Sequence, residues 1–178
     1  HAFDLTAGAG TTVDMRIFEK ADRVPKRVSL APRTYAGVET LLTRDNELTY
    51  YLATAPEPVL LEVSGPTPIT ANARLIFHSE SVGAHGYMLG VTSWPGGSTD
   101  GPGAGDTGEN GSRSEETVYR LESKASQTIT CRDRGDVLPG ALRTFELPVP
   151  EGRHAFVFRL AGGQARELAL KFYIPRGD

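Results

Sequence analysis

The sequence predicts an all-β fold: an antiparallel two-sheet β-sandwich, jelly-roll or immunoglobulin-like, with about a dozen short strands and little or no helix. Apolar and polar residues alternate with a period of two in many short segments, which is typical of strands that bury one face. Turn residues separate these segments at short intervals, as in sandwiches and barrels. No segment shows the wider apolar spacing of an amphipathic helix.

The clearest alternation lies near the end of the chain, in segments 144–149, 156–160 and 167–174. Short predicted turns at 150–152 and 161–164 lie between these segments, and both turns contain glycine. Connections this short favour neighbouring antiparallel strands. We therefore predict a three-stranded meander whose apolar face the rest of the chain covers.

Other segments with strand-like patterns precede the meander. They are 11–18, 27–30, 36–43, 47–53, 59–63, 69–78, 87–94, 117–121 and 127–131. Asp45 and Asn46 predict a hairpin turn, and the two prolines of 65–68 predict a rigid turn. Gly90, inside a strand, predicts a bulge or a close backbone approach.

Length and charge restrict the class of protein. The 178 residues predict a single domain over 1–178, large enough to bury a core without a disulfide or metal. The net charge of −3 comes from interspersed charges, which argues against a nucleic-acid partner. The apolar runs are too short for a transmembrane segment. Cys131 is the single cysteine and is predicted to be a buried small apolar residue.

The stretch 95–114 departs from the alternating pattern because it is rich in glycine, aspartate and serine. It has too little apolar surface to offset the entropy of ordering, so it predicts a long surface loop. Asp100, Asp106 and Glu109 are candidate oxygen ligands for calcium, although their spacing matches no EF-hand. The alternative is a solvated insertion whose acidic residues keep it soluble.

Trp94, where a strand enters this loop, is a candidate stacking platform for a sugar ring because an indole offers a flat apolar face with a polar edge. Tyr87 and Tyr51 are further candidate ligand-binding residues. Trp94 and Tyr87 have opposite strand parity, so they share a face only if Gly90 marks a bulge. The alternative for Trp94 is a cap on one end of the core.

Three of the histidines are candidate ligands for a transition metal. His78 and His85 flank a predicted turn and are candidates to approach one another. His1 is similar in one respect to the N-terminal copper ligand of secreted polysaccharide monooxygenases, which are also β-sandwiches. His1 is the single residue on which a hypothesis of copper binding rests. His154 has the parity of the core residues that follow it, which predicts a histidine at the end of the core.

No catalytic constellation emerges from the sequence. It has no G-x-S-x-G nucleophile motif and no glycine-rich phosphate loop, and nothing pairs two carboxylates. Arg134, Gly135 and Asp136 spell an adhesive tripeptide, which is also an ordinary composition for an exposed turn.

The sequence favours a non-catalytic binding module that acts outside the cytoplasm, in the periplasm, on the cell surface or secreted. The expected ligand is carbohydrate or another surface polymer, with no cofactor except possible calcium. One alternative is a protein-interaction or assembly domain of a cell-envelope protein, through edge-strand pairing. The other is a copper-dependent, polysaccharide-active enzyme that uses His1.

Overall fold

The computed structural model describes residues 27–78, 83–96, 114–163 and 166–176. Several predictions lie outside these residues. They are the strand over 11–18, the metal candidate His1, most of the loop over 95–114, and the calcium candidates Asp100, Asp106 and Glu109.

Strands and irregular segments make up the described residues, and none of these residues is helical. The strands are β1 Arg27–Leu30, β2 Gly37–Leu42, β3 Glu47–Ala53, β4 Val59–His78, β5 Ala84–Pro95, β6 Glu115–Lys124, β7 Thr130–Cys131, β8 Val137–Pro139, β9 Arg143–Gly163 and β10 Glu167–Pro175. The all-β prediction is therefore confirmed. The described part of the chain contains no helix of the length and apolar character needed to cross a membrane.

All ten strands belong to one antiparallel sheet, with the order β6-β5-β9-β4-β10-β3-β2-β7. Strand β1 pairs with β10, and β8 pairs with β4. The predicted division into two separate sheets, as in a sandwich or jelly-roll, is not confirmed because continuous ladders join all the strands. The ten described strands do not close into a ring.

Strands β4 and β9 are 20 and 21 residues long, and two predicted turns lie inside them. Gly65 of β4 pairs with both Glu151 and Gly152 of β9, which is a β-bulge. The predicted chain reversals at 65–68 and 150–152 are therefore wrong. Their turn residues face each other in register, so together they bend one long ladder instead of ending two short ones. We call this distortion the β4–β9 bend.

The predicted meander is also wrong, because β10 pairs with β4, β3 and β1 and not with β9. Phe158 of β9 pairs with Val59 of β4 on one side and with Val91 of β5 on the other. Both edges of β9 are therefore taken at Phe158, and its remaining residues up to Gly163 pair with β5. The short connection instead carries the chain to the other part of the sheet, next to β4.

The β4–β9 bend divides the sheet into two halves that share a core. The first half consists of β6, β5 and the parts of β4 and β9 over 59–64 and 153–163. The rings of Phe158 in this half and Phe172 in the second half lie 4.8 Å apart, on strands that do not pair. Tyr119 and Phe145 make a similar contact at 4.9 Å. Side chains of the two halves therefore pack against each other, and the sheet folds over its own apolar face.

A second, smaller apolar cluster lies on the opposite side of β2, β3 and β10. Its buried members are Leu41, Tyr50, Leu52, Ile76, Cys131, Val137 and Ala169. Strands β7 and β8 supply Cys131 and Val137, so the segment between them covers this side. Only Thr130–Cys131 of the predicted strand 127–131 is extended, and Val137–Pro139 is a strand that the pattern missed. The burial of Cys131, which is 6% exposed, confirms its prediction.

Substitution of Gly65 by alanine tests the importance of the β4–β9 bend. A Cβ atom at this position would lie 1.9 Å from the carbonyl oxygen of Pro150 and 2.6 Å from that of Val149. Because both neighbours are backbone, we expect Gly65→Ala to lower the free energy of unfolding by about 2 kcal/mol or more. Urea-induced unfolding measures the change.

Gly135→Ala is the matched control, since no atom would lie within 4 Å of its Cβ. We expect the control to change the free energy of unfolding by less than about 0.5 kcal/mol. Equal effects at the two positions would contradict the role assigned to the bend.

Candidate functional site

Trp94 lies on the side of β5 that faces away from the core. Tyr87, Leu89 and Val91 belong to the core cluster, and alternation along the strand turns Thr92 and Trp94 to the other side. Trp94 is half-buried there. We call the outward side of the first half of the sheet the Trp94 face. Its central residues are Leu60, Glu62, Thr92, Trp94, Ala155 and Val157.

The register of the sheet sets the layout of the Trp94 face. Trp94 is opposite Ala155 on β9, and Ala155 is opposite Glu62 on β4. Ala155 is fully buried although it faces outward, so larger neighbouring side chains cover it. An aromatic ring and a carboxylate therefore flank a small residue in one row across three strands.

Glu62 of this row interacts with two arginines. Nη1 of Arg33 donates a hydrogen bond to Oε1 of Glu62 at 2.7 Å. Nη2 of Arg153 lies 3.8 Å from Oε2 of the same carboxylate. The Arg153 side chain is 69% exposed, and that of Glu62 is 25% exposed. Exposed ion pairs of this kind contribute little to stability, so they can rearrange around a ligand.

A further ion pair, between Arg159 of β9 and Glu116 of β6, lies over Gly90 at the other end of the Trp94 face. A Cβ at Gly90 would lie 3.1 Å from Nε of Arg159. The β5–β6 register is regular through Gly90, and the β5–β9 shift occurs instead between Met88 and Leu89. Gly90 therefore does not form a bulge, and the group that approaches it closely is the side chain of Arg159.

The three aromatic ligand candidates lie in different surroundings. Tyr87 is 2% exposed in the core, and burial raises its pKa to about 12. Tyr51 packs at the margin of the core, with its ring 5.0 Å from that of Tyr35. Trp94 is the one candidate on the outward side, so the structure does not unite the three residues in one site.

The two predicted metal ligands His78 and His85 do not face each other. The ring of His85 packs against Phe77 at 5.2 Å, and His78 follows Phe77 on the opposite side of β4. The described part of the chain contains no group of three or more side chains that could hold a metal ion. His154 is 8% exposed at the end of the core, as its parity predicts.

The sequence reasoning missed a partly buried charged cluster beside the second apolar cluster. Nη1 of Arg134 donates to Oε2 of Glu167 at 2.6 Å and lies 3.6 Å from Oε2 of Glu39. Glu39 is 3% exposed. Burial raises the pKa of the Glu39 carboxyl, and the guanidinium of Arg134 opposes this shift. Two carboxylates of the same chain therefore contact Arg134, the first residue of the adhesive tripeptide.

Cys131 lies beside this cluster without the properties of a nucleophile. Burial, followed by the nearby Glu39 carboxylate, raises the pKa of its thiol to about 12. The thiol is therefore protonated at neutral pH, whereas the thiolate is the reactive form. The cluster stabilises the packing of the β7–β8 segment and offers no activated group.

Comparison of the chain with protein-family models, curated proteins and solved structures gave no match.

Replacement of Glu39 by glutamine tests the charged cluster through the pH dependence of stability. Because the pKa of Glu39 is raised above 4.5 in the folded chain, the folded state binds this proton more tightly than the unfolded state. The corresponding stability is present below the unfolded pKa and is lost as the pH rises through the folded pKa. We expect the Glu39→Gln variant to show no such decrease in stability as the pH rises, because glutamine does not ionise.

Urea unfolding from about pH 4 to about pH 8 measures the effect. Relative to the wild type, the free energy of unfolding of the Glu39→Gln variant should increase as the pH rises. Glu146→Gln, at an exposed position on β9, is the control and should keep the wild-type profile. A Glu39→Gln profile parallel to the wild type would refute the assignment.

Proposed function

We propose that this protein is a non-catalytic binding module that acts outside the cytoplasm and binds a carbohydrate chain on the Trp94 face. In this proposal the two packed halves of the sheet serve as a sandwich-like scaffold. The observation that carries the proposal is the outward position of Trp94 in a row with Ala155 and Glu62.

The surroundings of Trp94 suit a sugar ring. The indole supplies an apolar face for the C–H groups of a pyranose. Glu62 can accept hydrogen bonds from hydroxyl groups, and Arg33 and Arg153 can donate to them. Glu62 and Arg153 lie on the paired strands β4 and β9, so the backbone positions that carry their side chains are fixed before the ligand binds, whereas Arg33 lies in the segment between β1 and β2.

Substitution of Trp94 by alanine tests this proposal. A glycan array first identifies the ligand, and affinity electrophoresis or calorimetry then compares the variants. We expect Trp94→Ala to weaken binding at least tenfold, about 1.4 kcal/mol, because the stacking surface is lost. Tyr173→Ala is the control, since Tyr173 is also half-buried but lies in the second half of the sheet.

Circular dichroism is used to check that both variants fold. Unchanged affinity in a folded Trp94→Ala variant would refute the site. The absence of binding to any glycan of the array would refute carbohydrate as the ligand class.

A second candidate function is assembly through the edge of β6. Arg143 donates two side-chain hydrogen bonds to the carbonyl oxygen of Glu122, at 3.1 and 2.6 Å, and the Ala141 amide donates to that of Lys124 at 2.9 Å. These contacts cover the end of the β6 edge. Among the described residues, 115–120 pair with β5 alone. An uncovered edge of this length can add a strand from a second copy of the chain.

Native mass spectrometry tests this alternative. We expect a dimer that Val118→Lys dissociates, because Val118 is 49% exposed on the uncovered part of the edge and charge there opposes pairing. Leu138→Lys is the control, at a position 37% exposed on β8. A monomeric wild type over the whole concentration range, or a dimer insensitive to Val118→Lys, would count against assembly by this edge.

A further inference from the structure

We infer that the carbohydrate bound by the Trp94 face is acidic, with carboxylate groups on its sugar rings, and that Arg153 receives the carboxylate. This inference rests on the proposed function and names the ligand class for that site. The local charge, the unequal contacts of the two arginines with Glu62 and the position of Arg153 relative to Trp94 support it.

The charge beside Trp94 is opposite in sign to that of the whole chain. Arg33 and Arg153 lie beside the carboxylate of Glu62, so these three side chains together carry two minus one, or +1. The complete chain carries −3. A polyanion is therefore attracted to this part of the surface and is repelled by the net charge of the rest.

The two arginines hold Glu62 unequally. Arg33 makes a hydrogen bond of 2.7 Å to the carboxylate, whereas the 3.8 Å separation from Arg153 exceeds a hydrogen-bond distance. The Arg153 side chain is 69% exposed, compared with 47% for Arg33. Arg153 can therefore turn to a ligand, and Glu62 keeps Arg33 as its hydrogen-bonded cation.

The register places Arg153 diagonally opposite Trp94 on the neighbouring strand. Trp94 pairs with Ala155, two residues along β9 from Arg153, and diagonal neighbours of this kind are about 7–8 Å apart. The amide of Gly96 donates to the carbonyl oxygen of Arg153 at 2.9 Å, which fixes the end of β5 beside it. A sugar ring stacked on Trp94 would bring its carboxylate within reach of the guanidinium, which can form two parallel hydrogen bonds with it.

Arg159 is less suited to this role. Its guanidinium forms an ion pair with Glu116 at the other end of the Trp94 face. That pair contains a single arginine. A ligand that took Arg159 would leave that carboxylate without its cation. The arrangement around Glu62 avoids this cost because two cations share one carboxylate.

The experiment compares pairs of polysaccharides in which the sugar carboxylate is either present or converted to an uncharged group. The first pair is polygalacturonate and its methyl ester, and the second is hyaluronan and its carboxyl-reduced form. Binding of the full chain is measured by calorimetry at low ionic strength. We expect the acidic member of at least one pair to bind at least tenfold more tightly, with an affinity that falls as salt is added.

Arg153→Gln separates the role of this residue from general charge. The variant should lose the preference for the acidic member, and its binding to the neutral member should weaken less than its binding to the acidic one, since Trp94 remains. Arg132→Gln removes an equal charge from the second half of the sheet, where Arg132 pairs with Glu47, and should keep the preference.

The outcomes distinguish the inference from the proposed function. Equal binding of both members of each pair, abolished by Trp94→Ala, would overturn the acidic ligand and leave the carbohydrate site intact. A preference that survives in Arg153→Gln would overturn the role of Arg153. Failure of these four polysaccharides and of every glycan on the array to bind would overturn both the inference and the proposed function.

Discussion

The β4–β9 bend is the constraint on which the rest of this structure depends. Two strands of 20 and 21 residues run through both halves of the sheet, and an undistorted ladder of that length would leave its apolar side open to water. The double pairing of Gly65 bends the ladder, so that Phe158 can meet Phe172 across the core. Backbone oxygens fill the space where a side chain at position 65 would lie, which explains the glycine.

The two outer sides of the bent sheet differ in how far their charged side chains are buried. In the second half, the β7–β8 segment buries Glu39, and Arg134 compensates a carboxyl whose pKa burial has raised. Glu39 is the buried member of this cluster, and removal of Arg134 would leave its charge without compensation, which makes the cluster a structural device. On the Trp94 face, the ion pairs of Glu62 are exposed and weak. Their ease of rearrangement favours ligand binding there.

The sequence predicted the parts of this fold that depend on local pattern. Period-two alternation identified nearly all the strand segments and placed His154 in a buried position, and the general tendency of free cysteine to be buried did the same for Cys131. It failed where the meaning of a turn signal depends on the opposite strand: Gly65 and Gly152 each suggest a chain reversal alone, and only their register makes them a bulge. The charged cluster was invisible for the same reason, since Glu39, Arg134 and Glu167 come together only when β7 pairs with β2.

The same bend also assembles the candidate site. Glu62 comes three residues before Gly65 on β4, and Arg153 directly follows Gly152 on β9. Parity along β5 determines that Trp94 faces outward, but its arginine and carboxylate neighbours come from strands that the bulge aligns. A residue inserted into or removed from either strand near the bend would turn one of these side chains toward the core. The shape of the core and the chemistry beside Trp94 are therefore set by one local departure from regular pairing.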